Sequence, residues 1–374
     1  MNVWLQALKI YPRNIDTFAV SNMCSDTFMK WHLYTMLMGI LIIFSFSACH
    51  QPAGMKNRTN DPEGFSIDTV RKEILLTKSN IKLKSGHFQN IAIEAAYATI
   101  YFDVLNLLSS LNYVTDSTYL FNEKVKILIR HGKITLIPFR ENINPEYILK
   151  LNPTFWITTL HDYNQSETVK KIQKSGIQVV PLSDYMEPTC LQQSAWINFF
   201  GYWANQYSLS QKIFDAIKQR YDSIRRNIHS KDTLKVLCGF PYRGQWYLPS
   251  TDSKIAKIIH DAGGICISPG ESPSGTLPVS KEWIYLHARE ADVWINVNEK
   301  ETMISMLNEL ELCNEIKAFR NKRVYNYIKR KKGPANDIFE SGILYPDRWL
   351  MDLYIIFHQG NEDNLYFYKR LPEE

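Results

Sequence analysis

The sequence predicts an α/β protein of two Rossmann-like lobes with parallel sheets, joined by a single long helix. Three observations predict it. Apolar runs of strand length alternate with helical patterns along the chain. The same order of elements occurs twice. One uninterrupted amphipathic helical stretch lies between the two copies.

Taken in order, the chain of 374 residues opens with a leader, 1–48. Met36 to Ala48 is an uncharged apolar run, too short to span a bilayer, which takes about 20 residues, and suited to a secretory signal. Phe46-Ser47-Ala48-Cys49 resembles the lipobox of bacterial lipoproteins, with Phe46 where leucine is usual, and implies that Cys49 carries lipid as the first mature residue. Met29-Lys30 completes a signal peptide over 29–48, which makes Met29 an alternative start to Met1. An N-terminal membrane anchor is the alternative reading of the run. The polar stretch 49–65, with its prolines and glycines, is expected to be a flexible tether.

The N-terminal lobe is expected over 66–190 and the C-terminal lobe over 231–374. In the first, the strand Asn90 to Ile93, a helical stretch to Leu111 and the strand-like Tyr113-Val114 precede Pro145-Glu146-Tyr147-Ile148-Leu149, which starts a helix feeding Phe155-Trp156-Ile157. In the second, Lys235-Val236-Leu237, the helix Lys254 to Ala262 and the strand Ile265 to Ser268 precede Ser280-Lys281-Glu282-Trp283-Ile284, which feeds Val293-Trp294-Ile295. Each copy then continues with a helix and a strand, 166–175 with 176–181 and 307–319 with 323–325. A period this long marks a duplicated domain and not a solenoid. Connecting helices fill 191–230. Their bridging helix, 208–230, carries Ile213, Ile217, Tyr221, Ile224 and Ile228 on one face, with Ser208 or Ser210 as its expected cap.

These residues resemble the substrate-binding proteins of ABC importers for iron-siderophores, haem and cobalamin. The resemblance covers about Lys82 to Leu371 and is carried by Asn144 to Pro153, Ala195 to Gly201, Gly244 to Pro249 and Asp337 to Gly342 with Pro346-Asp347. It implies a ligand cleft between two bridged lobes and one glutamate per lobe that docks on permease arginines, here Glu146 and Glu282. A carboxylate in a first helical turn suits both the helix dipole and an arginine fork.

Loops after the strands are expected to line the cleft: Thr159, His161 and Tyr163, then Asp184 and Tyr185, and above all Tyr242, Arg243, Trp246 and Tyr247. Aromatic faces beside an arginine fit a large planar or catecholate ligand carrying negative charge. The expected ligand is therefore a metal chelate: a ferric siderophore, haem or cobalamin. No metal held directly by side chains is expected, because the nine histidines form no H-x-x-H or H-E-x-x-H pair. Direct zinc or manganese binding, with His161, His260 and His287 meeting in space, is the alternative.

The leader nets +1 of the formal +5, and the remaining mild excess implies no nucleic-acid partner. Beyond the lipid on Cys49 no covalently bound cofactor is expected. Neither G-x-S-x-G, G-x-x-x-x-G-K-[ST] nor G-x-G-x-x-G occurs, and Asp184 with Glu187, or Glu340 with Asp347, is not placed across a sugar by anything in the sequence, so no enzyme is expected. The expected partner is an ABC permease dimer in the inner membrane. An outer-membrane receptor, with capture at the surface and no permease, is the alternative. A monomer is expected, exported and lipid-anchored to a bacterial membrane at its periplasmic face or cell surface.

Overall fold

A computed structural model describes residues 61–86, 88–115, 117–137, 145–228 and 234–374. The leader, Cys49 and most of the expected tether lie outside these residues, and so do Asn144 and the last two positions of the expected bridging helix.

The described chain begins with an antiparallel meander, β1 (Phe65–Asp68), β2 (Glu73–Leu76) and β3 (Ile81–Lys84), which the sequence reading did not anticipate. Its entry is held by Glu187, whose carboxylate accepts the backbone N–H groups of Glu63 at 2.8 Å and Gly64 at 2.9 Å and the indole N–H of Trp196 at 2.8 Å. Gly64 is required there, since a side-chain carbon would meet Trp196 at 2.4 Å. Phe65 packs edge-on against Trp196. The end of the expected tether is thus part of the fold.

Both lobes follow. The first sheet contains β4 (Ile91–Ile93), β5 (Leu111–Val114), β6 (Thr135–Leu136), β7 (Phe155–Thr159) and β8 (Gln178–Leu182), all parallel, in the order β6-β5-β4-β7-β8. In the second lobe come β9 (Leu234–Cys238), β10 (Trp246–Pro249), β11 (Gly264–Cys266), β12 (Thr276–Val279), β13 (Val293–Ile295), β14 (Val324–Asn326), a small hairpin of β15 (Lys331–Lys332) and β16 (Ala335–Asn336), and β17 (Lys369–Arg370). Its main sheet runs β11-β9-β13-β14-β17, parallel except for β17, while β10 and β12 form a separate ribbon. The orders β5-β4-β7-β8 and β11-β9-β13-β14 are the same topology, so the expected duplication is present.

The echo has a packing reason. Trp156 of β7 is buried with Ile148 of the helix Pro145–Leu151, and Trp294 of β13 with Ile284 of the helix Lys281–Ala288. Each tryptophan seals the helix that precedes its own strand. The expected helix 307–319 is instead broken into Met303–Leu307, a short 3-10 turn at Glu311–Glu315 and Lys317–Arg320, with Leu310 and Ile316 in extended conformation between the pieces.

The bridging helix runs Tyr207–Arg226 and buries Phe214, Ile217, Tyr221 and Ile224. Neither expected serine caps it: the N-cap is Gln206 without a side-chain bond, and the Ser210 hydroxyl, packed against Gly201, donates to the Tyr207 carbonyl at 2.9 Å. At about 1.5 Å per residue the helix spans roughly 30 Å. Its apolar face continues one core from the first lobe into the second.

Candidate functional site at the strand ends

A cavity of about 510 Å³ opens at the carboxyl ends of β9, β13 and β14. Its floor is Cys238 and Gly239 from the end of β9. Asn296 and Asn298 follow β13 at φ 59° and 54°, a left-handed conformation that asparagine tolerates. Tyr327 follows β14, and Phe339 stands edge-on to it with ring centroids 5.4 Å apart. Tyr247 and Thr276 come from the ribbon, Trp349 from the helix Pro346–Phe357, and Cys190 and Gln193 from the connecting segment. No charged side chain lines this wall. Tyr247, 52% exposed, and Phe339, 60% exposed, leave large ring faces open.

The polar groups on the wall are fixed from behind. The Asn296 side-chain oxygen accepts the Tyr368 hydroxyl at 2.6 Å, and that hydroxyl accepts the Trp349 indole N–H at 3.0 Å. The Gln193 amide donates to Asp184 at 3.1 Å and accepts from the Lys254 ammonium at 2.7 Å, while Lys254 also donates to the Tyr185 carbonyl at 2.8 Å. Asp184 is also held by the Tyr97 hydroxyl at 2.6 Å. Burial pushes the Asp184 carboxyl up and the Lys254 ammonium down, in each case the larger influence, and the bonds to Tyr97 and Gln193 counter it at Asp184. Gln193 is thereby a rigid amide joining the edge of the first lobe to a helix of the second.

Of the residues expected to line the cleft, Tyr247 alone is on this wall. Trp246 corrects the expectation most clearly. It is 1% exposed, stacks on Trp294 at 5.6 Å, and spends its indole N–H on the Cys238 carbonyl at 3.1 Å. Strand alternation sends its neighbour Tyr247 outward instead. Tyr242 and Arg243 are exposed at the turn before β10, with the Arg243 guanidinium 5.2 Å from the Tyr242 ring centre. Thr159, at the end of β7, is used as a helix cap that accepts the Asp162 N–H at 3.2 Å and donates to its carboxylate at 2.6 Å. His161 is exposed on the helix Leu160–Gln165, Tyr163 packs against the outer core of the first lobe, and Tyr185 is partly exposed after β8. These four stand on the carboxyl edge of the first sheet, outside the cavity wall.

Glu94, directly after β4, was missed. It accepts the Thr158 hydroxyl at 2.5 Å and the Trp156 indole N–H at 3.4 Å, and burial, reinforced by Asp162, raises its carboxyl. The histidines of the alternative metal reading have other neighbours: His287 stacks on Trp283, and His260 lies 3.8 Å from Asp261. Among the described residues no three or more metal-ligating side chains gather, and no helix is long and apolar enough to cross a membrane.

Glu146 and Glu282 occupy matching first turns and are both exposed. A bond with the cap Ser280 is the main cause that holds the Glu282 carboxyl low. Each helix also exposes apolar side chains, Tyr147 and Leu149 on one, Tyr285 and Leu286 on the other.

Comparison with known structures settles the architecture. A possible iron-binding, periplasmic solute-binding protein of Staphylococcus epidermidis superposes with a TM-score of 0.56 at 17% identity, over 72% of this chain and 98% of its own. The fold is that of the two-lobed periplasmic binding proteins. The periplasmic heme-binding protein of Vibrio cholerae shares this binding-protein fold, also with a TM-score of 0.56 and 17% identity, over 71% of this chain and 99% of its own. Residues 201–330, the bridging helix and much of the second lobe, match the sequence profile of the periplasmic binding protein family. An uncharacterized lipoprotein of Methanocaldococcus jannaschii is 25% identical over 234 residues, which are 62% of this chain and 54% of that protein, little more than half its length.

Proposed function

We propose that the chain is the substrate-binding component of an ABC importer, holding an iron-siderophore, haem or cobalamin-type chelate at the strand-end cavity and presenting it to a permease. The observation that carries this reading is the cavity itself: exposed rings of Tyr247 and Phe339 beside fixed neutral amides, at the place where open α/β sheets bind ligands. An uncharged aromatic wall suits the flat face of a macrocycle better than a highly anionic catecholate, which wants cations around it. Among such chelates haem and cobalamin are therefore the first choices. The names of structural neighbours, which include iron, heme and ferric-hydroxamate proteins, point to the same ligand class.

Glu146 and Glu282, one on each lobe and flanked by exposed apolar side chains, are the proposed contacts for permease arginines. Lipid on Cys49 is the proposed anchor, and the lipoprotein name of a relative supports it. Binding and delivery, not catalysis, is the activity assigned. Trp349 on the wall makes the ligand class testable by intrinsic fluorescence. Haem, cobalamin and ferric siderophores are titrated against the purified chain; saturable quenching by one of them is expected, and quenching by none contradicts the proposal.

A further inference from the structure

Two thiols meet beside the cavity in a way that the chelate site does not use. Cys266, the last residue of the edge strand β11, pairs with Val236 of β9, and Cys238 lies two residues further along β9 on the same face. Their sulfurs are 4.0 Å apart. Cys238 is buried and contributes to the cavity wall, while Cys266 is half-buried at the start of the loop that leads to the ribbon.

The backbone on the Cys238 side is held firmly. Trp246 donates to the Cys238 carbonyl at 3.1 Å, Trp294 to the Gly239 carbonyl at 2.7 Å, and the Gly239 N–H to the Ile295 carbonyl at 3.0 Å. A disulfide would require the sulfurs to close from 4.0 Å to about 2.05 Å. A bridging cation requires almost no movement. With metal–sulfur bonds of about 2.3 Å, sulfurs at the observed separation of 4.0 Å enclose one ion at a sulfur–metal–sulfur angle of about 120°. That angle is bent enough to leave a further coordination position open.

We propose that Cys238 and Cys266 form a two-thiolate site for a soft monovalent cation of the copper(I) class, set in the wall of the cavity. Thiolate sulfur is the ligand such cations select, and harder divalent ions want more nitrogen or oxygen donors than the two sulfurs offer. Binding replaces two thiol protons by one cation: both S–H bonds break, two S–M bonds form, two protons leave to solvent, and no electron is transferred. The contact with Cys266, together with burial, pushes the Cys238 thiol up in the metal-free protein, and a coordinated cation reverses that preference. This site does not depend on the chelate reading: the Cys266 thiol donates to the neighbouring Ile267 carbonyl at 3.7 Å, a bond that coordination would replace.

The test uses the full chain, reduced and kept without oxygen, and copper(I) supplied as its coloured bicinchoninate complex. One equivalent of copper(I) is expected to leave the chelator, with ultraviolet sulfur-to-copper absorption appearing in step. Cys266→Ser, at the half-buried and more tolerant position, is expected to weaken binding at least tenfold while its circular dichroism stays that of the parent. The variant Cys313→Ser, whose thiol lies in a separate core cluster, is expected to bind as the parent does. Failure to withdraw copper, binding unaffected by Cys266→Ser, or peptide masses showing Cys238 and Cys266 already joined as a disulfide overturns the proposal.

Discussion

The carboxylate of Glu340, in the second lobe, accepts the backbone N–H of Phe121, in the first, at 2.7 Å. It also accepts the Asn122 N–H at 3.2 Å and the Thr99 hydroxyl at 3.4 Å, and it is buried. Elsewhere Lys254 and Lys257 of the second lobe donate to the Tyr185 and Pro188 carbonyls at 2.8 and 2.9 Å. The lobes are therefore tied at two places besides the bridging helix. Replacing Glu340 by alanine orphans two backbone donors and is expected to cost about 1–3 kcal/mol, read as a lower denaturant midpoint.

The same carboxyl sets a pH dependence. Burial raises Glu340 from 4.5 to about 7, and raises Asp352 from 3.8 to about 6 although three backbone N–H groups bond to it. The folded state thus holds these protons more tightly than the unfolded chain. Their contribution to stability is complete below about pH 4 and is lost as pH rises through 6 and 7. The melting temperature is expected to fall from pH 5 to pH 8, and to fall less in Glu340→Gln. An unchanged pH slope in that variant contradicts this assignment.

Trp246 and Tyr247 separate structure from recognition. Trp246→Ala removes a stacked core ring and is expected to destabilise by about 3–5 kcal/mol. Tyr247→Ala, at an exposed position, is expected to leave stability within about 0.5 kcal/mol while weakening ligand binding. Chemical denaturation of both variants decides it, and equal loss of stability in the two is the contrary result.

Glu146→Arg and Glu282→Arg are expected to abolish ligand-dependent uptake in cells while the purified variants bind ligand as the parent does. Uptake that persists in the double variant supports capture without a permease.

A bridging helix and two further sets of ties between the lobes predict little change of shape on binding. Small-angle scattering with and without ligand is expected to superimpose, and a large contraction contradicts the rigid arrangement.

Much of this was legible in the sequence because it rests on local periodicity. The two Trp-Ile strands, each preceded by a glutamate-led helix, write the duplication directly, since Trp156 and Trp294 perform the same sealing role in each lobe. The bridging helix shows its buried stripe at helical spacing, though not its cap, because Ser210 faces Gly201 and has its hydroxyl satisfied within the helix. Site residues were less legible. The choice between Trp246 and Tyr247 turns on which face of β10 meets the core, and two adjacent aromatics do not encode that. Asn296 had a readable signal: it follows Trp294-Ile295 as Thr158 follows Trp156-Ile157, so the internal repeat already marked it. Glu340, Gln193 and the sulfur pair Cys238–Cys266 depend on contacts distant in sequence and carry no local pattern.

The central claim is that a chelate sits against Tyr247 and Phe339 at the strand-end cavity. Calorimetric titration of the parent chain and of Tyr247→Ala with haem and with cobalamin tests it most directly. One saturable site per chain is expected for one of these ligands, weakened about tenfold or more by Tyr247→Ala, a loss of at least roughly 1.4 kcal/mol. Binding of equal strength in the two proteins, or no saturable binding of either ligand, contradicts it.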